Sequence, residues 1–409
     1  MLLSRPGAVG AWGLVRIMAG AGVLALAGSG ALLAACGSAA APVTPRAVSS
    51  SQSLAAAPAR AAGAGEAGSA ALTRSSRNQV APEQQRPPAG NPAGGVPIPA
   101  AARPVNTSHP DRVIGNGTAA SCTSGAVVAA VAKGGVITFD CGAKPVTIMM
   151  QATAKVRNTS SEVVLDGGGK VALSGGGARR ILYLDTCDPA QVWTTSHCQN
   201  QATPRLVIQN MTLRDGNSTG QHYDGGGGGA IFDRGGQLKV INSIFTGNRC
   251  DRSGPDLGGA AIRALSQYQN RPVYVSYSTF RGGVCSNGGA LSSIGVSWTV
   301  LDSLMTGNRA IGVGANPARP GTPGGGSGGA IYNDGDTYNL KVEGTIISGN
   351  HAREGGGAIF FVSNDRTGTL LIKKSTLHDN PNDGFFTAGY PGIFFLGHGH
   401  PVVISSTIN

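Results

Sequence analysis

A short sequence motif recurs through the C-terminal half of the chain at intervals of about 33 residues. Its first clear copy runs from Leu238 to Asn248, with two apolar anchors, Val240 and Phe245. The second anchors of successive copies are Phe245, Phe280, Met305, Ile347, Leu377 and Ile408. One unit of this length cannot bury its own apolar residues, so the copies must stack on one another. Stacking places equivalent strand residues about 4.8 Å apart, which predicts a parallel β-solenoid.

A second motif, Gly-Gly-Ala followed by an apolar or small residue, alternates with the first. Its copies begin at Gly228, Gly258, Gly288, Gly328 and Gly356. We expect glycine where the backbone turns sharply and alanine where the interior is narrow. The composition agrees, because 65 of 409 residues are glycine and only 13% are charged. These values exclude coiled coils and helical bundles, and the glycines lack the three-residue period of collagen.

The combination of Phe245-x-x-Asn248 with Gly-Gly-Ala-Ile resembles the paired repeats of the chlamydial polymorphic outer-membrane proteins. It is also similar to the wider group of right-handed parallel β-helices that includes the pectate lyases. The resemblance implies an all-β, single-stranded, right-handed parallel β-helix over residues 205–409, with an N-terminal cap and first coils at 111–204. Most copies replace the Phe by Met, Ile or Leu, and Gly283 stands where an Asn is expected.

The N-terminal segment, residues 1–35, has the pattern of a secretory signal. Arg5 and Arg16 precede an apolar run that ends in Leu-Ala-Ala-Cys36. This ending resembles the bacterial lipoprotein box, which implies that Cys36 carries the acyl chains (palmitate among them) and anchors the protein to the outer face of a cell-envelope membrane. Residues 36–110 are rich in Ala, Pro, Gly and Ser, which predicts a disordered tether.

The remaining cysteines are even in number, which predicts disulfides in an exported chain. Sequential pairing is the preferred arrangement of Cys122, Cys141, Cys187, Cys198, Cys250 and Cys285. Cys250 and Cys285 each lie five residues after a second anchor, so they occupy equivalent positions in adjacent coils, within disulfide range. No cysteine or histidine spacing suits zinc.

The formal charge of +11 does not indicate a nucleic-acid partner. The basic side chains are scattered along the chain, with no stripe of Lys or Arg interleaved with aromatic residues. A column of amides, formed by Asn248, Asn308, Asn350 and Asn380, predicts a hydrogen-bonded asparagine ladder rather than a ligand site.

The longest variable loop, residues 309–327, and the insert at 215–227 lie on one side of the predicted solenoid. Functional loops of solenoids concentrate on one face, so we expect a ligand there; an insertion without function is the alternative. The candidate ligand-binding residues on this side and in a column of Asn and Asp after the Gly-Gly-Ala strands are His222, Tyr223, Asp224, Asp334, Asp336 and Asp365.

Catalysis is the alternative to binding. A lyase requires carboxylates that hold calcium and a basic residue that removes a proton, and Arg353 and Glu354 are its candidates. Gly397-His398-Gly399 resembles the Gly-His-Gly of polygalacturonases, which makes His398 a third candidate, although the acidic cluster of that family is absent. The sequence therefore favours a structural or binding role at the cell surface, toward polysaccharide or another surface ligand. A polysaccharide lyase or glycoside hydrolase is the alternative, with calcium as its cofactor.

The sequence ends at Asn409, partway through a coil and without a polar cap. An uncovered strand edge can pair with another chain. Three outcomes are open: the last loops cover this edge, the molecules associate end to end, or the reading frame is truncated.

Overall fold

The computed structural model describes residues 89–222 and 226–409. The signal segment, Cys36 and the tether up to residue 88 lie outside the described residues. The described chain forms a parallel β-helix, as predicted: its strands build four sheets, and neighbouring strands within each sheet run parallel. No helix of the described ranges has the length and apolar character needed to cross a membrane.

Each complete coil of the helix contributes one strand to each of three long sheets, and the first and last coils contribute fewer. The ten-stranded sheet contains Arg112–Gly115, Gly135–Asp140, Glu162–Asp166, Arg205–Gln209, Gln237–Ile241, Val273–Ser276, Trp298–Leu301, Asn339–Glu343, Thr369–Lys373 and Val402–Ile404. The nine-stranded sheet contains Val146–Met149, Val171–Ser174, Thr212–Arg214, Ile244–Thr246, Thr279–Arg281, Leu304–Thr306, Ile346–Ser348, Thr376–His378 and Thr407–Ile408. The eight-stranded sheet contains Ala154–Lys155, Leu182–Asp185, Ile231–Arg234, Ile262–Ala264, Leu291–Ile294, Ile331–Gly335, Ile359–Ser363 and Ile393–Leu396.

Shorter elements complete the coils. A three-stranded sheet contains Val284–Cys285, Arg309–Ala310 and His351–Ala352. Short 3-10 helices span Ala100–Ala102, Ala119–Ser121, Pro189–Gln191, Cys198–Asn200 and Tyr268–Asn270.

An α-helix, Ser124–Lys133, lies at the N-terminal end of the stack. The Thr123 hydroxyl accepts a hydrogen bond from the backbone N–H of Ala126 and caps the helix start, and Gly134, with φ of 71°, ends it. Its buried side chains, Val127 and Val131 among them, join the core of the coils. The helix therefore covers apolar side chains that the first coil would otherwise expose.

The predicted column of second anchors is confirmed. Phe245 pairs with Phe280, and Phe280 pairs with Met305 in the next strand; the column continues through Ile347, Leu377 and Ile408. The rings of Phe245 and Phe280 stack with centroids 4.8 Å apart. Burial of each such side chain contributes roughly 1.5–3 kcal/mol, so the column is a main source of cohesion between coils.

The Gly-Gly-Ala alignment needs one correction. Ile231 pairs with Ile262, not with Ala261, so the copy in that coil begins at Gly259 rather than Gly258. The first glycine of each true copy has φ between 52° and 70°, and a Cβ there would lie 2.1–2.3 Å from a carbonyl oxygen three residues ahead. The glycine is therefore required by both the left-handed backbone and the close approach.

The asparagine ladder is also confirmed. Asn308 Nδ2 donates to Asn350 Oδ1 at 2.8 Å, and Asn350 Nδ2 donates to Asn380 Oδ1 at 2.9 Å. At the coil that lacks its Asn, the backbone N–H of Gly283 donates to Asn308 Oδ1 at 3.0 Å. The neighbouring amide therefore satisfies this position without a side chain.

A hydroxyl ladder, which the motif analysis did not predict, fixes the corner between the ten-stranded and nine-stranded sheets. In each coil a backbone N–H donates to the hydroxyl of the equivalent residue in the next coil, at 3.0–3.2 Å. The residues of this ladder are Ser243, Ser278, Ser303, Thr345, Ser375 and Ser406. Each follows a residue in the left-handed conformation, so the corner is short and leaves no loop above the ten-stranded sheet.

The three sequential disulfides are present. Cys122 is bonded to Cys141, and Cys187 to Cys198. The Cys250–Cys285 bond joins adjacent coils, with Cα atoms 4.7 Å apart, as the equivalent spacing from the second anchors predicts.

Residues 89–110 correct the predicted tether boundary, because they bind to the body. This segment, here called the strap, lies along the outer face of the ten-stranded sheet. At one end the backbone N–H of Asn91 donates to the carbonyl of Asp302 at 2.7 Å. At the other, Val105 exchanges two hydrogen bonds with the Gln209 amide, at 2.9 and 3.0 Å, and packs against Val207. The strap resembles a tether in composition, but its few apolar residues have partners on the sheet.

The last coil leaves apolar side chains uncovered. Val402, Val403 and Ile404 are 51%, 38% and 45% exposed. Ile372, which pairs with Val403 in the preceding coil, is fully buried. End-to-end association stays a prediction.

Candidate functional site

The outer face of the eight-stranded sheet, on the side of the long loops, is sealed. Adjacent strands place a column of mostly large side chains above one another on this face, with one serine among them: Tyr183, Phe232, Arg263, Ser292, Tyr332, Phe360 and Phe394. The ring of Phe360 stacks between those of Tyr332 and Phe394, at 5.0 and 5.2 Å. Phe360 and Tyr332 are buried, so the loops above them close this surface.

Two buried guanidinium groups lie within this sealed face. Arg180 donates to the carbonyls of Gly228 and Gly227, at 3.0 and 2.8 Å, and lies 5.0 Å from the centre of the Phe232 ring. Arg263 donates to Ser292 Oγ at 3.1 Å. Burial lowers the pKa of each guanidinium to about 10, because low polarity disfavours the charged form. Both remain cationic at neutral pH.

The long loop is fixed by Glu354, one of the three catalytic candidates. The Glu354 carboxylate accepts two bonds from Arg319, at 3.0 and 3.2 Å, and one from the backbone N–H of Gly314, at 2.9 Å. These bonds hold the loop against the next coil. The neighbouring candidate, Arg353, is exposed, and so is His398.

Asp334 is the ligand-binding candidate that the long loop contacts. Its carboxylate lies 3.2 Å from the Tyr332 hydroxyl and accepts a bond from Asn364 at 3.3 Å. Asn316, from the long loop, donates to both Asp334 and Tyr332. Burial raises the pKa of Asp334 and of Tyr332 above their ordinary values. The long loop therefore reaches down to Asp334 and covers it.

Asp365 and Asp336 lie at a turn beyond this strand. Asp334 pairs with Val362 rather than with Asp365, so the two carboxylates are not in equivalent positions. Asp365 accepts bonds from Ser363, Thr337 and Thr367, each at 2.8 Å. Together with the backbone N–H of Thr367, they hold the pKa of Asp365 well below its usual range. Asp336 is exposed.

The insert is described only in part. His222 Nε2 lies 3.7 Å from the Asp251 carboxylate, which also accepts a bond from the backbone N–H of Gly220 at 3.0 Å. Tyr223 and Asp224 lie outside the described residues. Within the described ranges, no group of three or more His, Cys, Asp or Glu is arranged to hold a metal ion.

The open site is a groove on the outer face of the ten-stranded sheet. It has a volume of about 380 Å³ and lies between the strap, at Ala101, and the first residues of several strands. The charged and polar side chains that line the groove belong to Glu162, Arg205, Gln237, Lys239, Arg271 and Tyr274.

Strand register arranges these groove residues in two rows. In the first row Glu162, Arg205 and Gln237 pair in successive strands. In the second, Lys239 pairs with Tyr274. Because successive strands are about 4.8 Å apart, both rows run along the axis of the β-helix. The groove is therefore suited to an extended ligand that lies along that axis.

The groove has an excess of positive charge. Arg205, Lys239 and Arg271 face a single acid, Glu162, whose carboxylate lies 3.4 Å from Arg205 Nε. Burial lowers the pKa of Lys239, with Arg205 adding to the effect and Glu162 opposing it. Lys239 Nζ donates to the carbonyl of Arg103 in the strap at 2.8 Å. These cations can pair with carboxylate, sulfate or phosphate groups.

The sequence analysis missed this groove. Its residues come from the strap and from four successive strands of the ten-stranded sheet, about 30 to 40 positions apart in the chain, and no local motif contains them. One signal was available: Lys239 lies between the inward-facing Leu238 and Val240, so alternation alone places it on the outer face.

Comparison of the chain with protein families, with curated proteins and with solved structures gave no match. The parallel β-helix is established by the register of its own strands.

Proposed function

We propose that this protein is an exported, lipid-anchored protein of the cell envelope whose β-helix body binds an extended acidic polysaccharide. The observation that carries the proposal is the basic groove on the ten-stranded sheet. Three disulfides in the body support an oxidising compartment, and the lipoprotein-like ending at Cys36 supports the anchor. A pectate-lyase-like ancestry of the scaffold belongs to the same proposal.

The groove chemistry favours an acidic glycan over other polymers. Arg205 and Lys239 supply cations on adjacent strands, and Gln237 supplies an amide that can donate to and accept from sugar hydroxyls. Tyr274 adds an apolar ring with a polar tip. Its two rows of paired side chains run along the helix axis, so an extended polymer can contact several of them at once.

The test measures binding of purified protein to immobilised alginate, polygalacturonate and hyaluronan, with dextran as the neutral polymer. Lys239→Glu reverses a charge inside the groove, and we expect it to weaken binding to at least one acidic polymer about tenfold or more at low salt. The matched control is Lys341→Ala, since Lys341 is exposed on the same sheet but does not line the groove.

Salt dependence gives the second measurement. Ionic contacts weaken as salt screens them, so binding should fall between roughly 50 and 500 mM salt, and less steeply in Lys239→Glu. Binding that is equal for dextran and the acidic polymers, or equal in Lys239→Glu and wild type, would refute the groove as the site.

A polysaccharide lyase or glycoside hydrolase on the same scaffold is the second candidate. Asp334 favours it, because burial raises the pKa of its carboxyl, and a raised pKa is the shift that suits a carboxyl to act as a general acid. Its test is the appearance of unsaturated sugar products or new reducing ends from the same polymers, with Asp334→Asn as the inactive variant.

A further inference from the structure

A loop closed by the Cys187–Cys198 disulfide is held rigidly at its base. Asn158, which is buried, donates from Nδ2 to the carbonyl of Trp193 at 2.6 Å, and its backbone N–H donates to the carbonyl of Gln191 at 3.0 Å. Arg157 donates to the carbonyl of Ala190 at 2.9 Å. The disulfide and these bonds fix the loop from both sides.

The backbone at the tip of this loop is strained. Val192 has φ of 88° and ψ of −53°, a region that β-branched residues rarely adopt. Such conformations persist only where the surroundings enforce them, and they concentrate at ligand-binding segments. The bonds from Asn158 and Arg157 to the residues on either side of Val192 supply that enforcement.

The strained backbone turns two apolar side chains outward. Val192 is 61% exposed and Trp193 is 39% exposed. By contrast, the neighbouring Gln191 is buried. The residues that follow the tryptophan are exposed and polar: Thr194, Thr195, Ser196 and His197. A rigid aromatic side chain with hydroxyl groups beside it loses little conformational entropy when it binds.

The loop is joined to the wall of the groove. Asn200 Oδ1 accepts a bond from the backbone N–H of Gln269 at 2.7 Å, and the groove residue Gln237 donates to the carbonyl of Ala202 at 2.7 Å. The chain that leaves the loop then enters the groove directly at Arg205. The loop and the groove are thus neighbouring parts of one edge of the ten-stranded sheet.

We propose that Trp193 is a stacking platform for a pyranose ring of the polysaccharide that the groove binds. The indole face covers the C–H face of the ring, while the adjacent hydroxyl side chains hydrogen-bond to its edge. This inference rests on the proposed function for the nature of the ligand. Trp193 would contact the polymer in addition to the charged residues of the groove. The strained backbone at Val192 would position its side chain.

The test combines affinity with tryptophan fluorescence on the full chain, using the acidic polymer that wild type binds most tightly among alginate, polygalacturonate and hyaluronan. We expect Trp193→Ala to weaken binding about tenfold and Trp193→Phe to restore part of the loss. Of the other two tryptophans, Trp298 is buried in the core, and Trp12 lies in the signal segment that cleavage before Cys36 would remove. The polymer should therefore change the emission of wild type and leave that of Trp193→Phe unchanged.

Two further variants separate positioning from folding. Asn158→Ala removes the bond to the Trp193 carbonyl and should weaken binding while the indole remains. His197→Ala, at an exposed position of the same loop, is the matched control and should bind as wild type does. Thermal unfolding of Trp193→Ala should stay cooperative, with a midpoint only a few degrees below that of wild type, because Trp193 is partly exposed and lies outside the core.

The outcomes distinguish this inference from the proposal it rests on. Loss of binding in both Lys239→Glu and Trp193→Ala, with quenching or a shift of wild-type emission, supports both. If Lys239→Glu loses binding while Trp193→Ala binds normally and emission does not change, the stacking is refuted and the groove stands. If wild type binds none of the polymers, both are refuted.

Discussion

The outer faces of the eight-stranded and ten-stranded sheets are built from the same stacked coils, but they differ in what covers them. Above the eight-stranded sheet, long connections such as residues 310–327 bury a column of aromatic rings. Above the ten-stranded sheet, two-residue corners such as Asn242-Ser243 leave no loop, and within the described part of the chain the strap is what lies on this surface. The basic groove opens beside that strap.

The comparison shows that the long variable loops of a solenoid can lie on a different face from its open groove. On the sealed face, polar residues such as Glu354 and Asp334 bond to the long loop itself. On the open face, Arg205 and Arg271 are exposed and line a groove. The residues that hold the coils and loops together and the residues of the proposed binding groove thus lie on different sides of one scaffold.

The largest expected difference between the faces is in stability. Phe360→Ala empties a buried position between two stacked rings and should lower the free energy of unfolding by about 3–5 kcal/mol. Tyr274→Ala, at a half-buried position of the groove, should cost about 1 kcal/mol. Urea denaturation of both variants with intact disulfides measures the difference. Equal costs would mean that the two faces are covered alike.

The next effect concerns the loop that seals the eight-stranded sheet. Glu354→Ala removes its charge-assisted bonds to Arg319 and Gly314, and should cost about 1–2 kcal/mol, limited by the exposure of Arg319. Hydrogen exchange should rise within residues 310–327. The adjacent Arg353→Ala, an exposed position, is the matched control and should leave both stability and exchange unchanged. Unchanged exchange in Glu354→Ala would contradict the role of this residue in fixing the loop.

Stacking is the reason that so much of the fold is predictable from the sequence. A residue such as Phe245 must lie above Phe280, so one spacing predicts the core column, the Cys250–Cys285 bond and the amide ladder together. The misplaced Gly-Gly-Ala copy has the same physical origin. Residues 258–261 contain only glycine and alanine, and because these residues are all small, the sequence does not show which of them begins the motif. The pairing of Ile262 with Ile231 in the neighbouring strand fixes the register.

The strap and the groove depend on contacts that no repeat encodes. Val105 and Gln209 are 104 positions apart, so local composition predicts a tether where the fold holds the segment against the sheet. The candidate residues chosen for their polarity, such as Asp365, are polar because turns need acceptors. The groove brings together outward-facing residues of several coils, which become neighbours only once the register is known.

The strap gives a smaller and more local effect. Val105→Ala removes half-buried contacts with Val164, Val207 and Ile241 and should cost about 1 kcal/mol. Its backbone N–H, bonded to Gln209, should exchange faster, and protease should cut residues 89–110 sooner. His109→Ala, at an exposed position of the strap, is the control. If protease cuts Val105→Ala and wild type equally, this apolar contact does not hold the strap.

The smallest expected effect is in the charge balance of the open face. Glu162→Gln removes the one acid that lines the basic groove, so its affinity for the acidic polymer should rise about two- to threefold. Glu162 also favours the protonated form of Lys239, so the measurement is made at about pH 6, where an ordinary lysine is fully protonated. Glu343→Gln, beside Lys373 on the same sheet and outside the groove, should change nothing. A gain that persists at high salt would argue against a charge effect, because screening should abolish it.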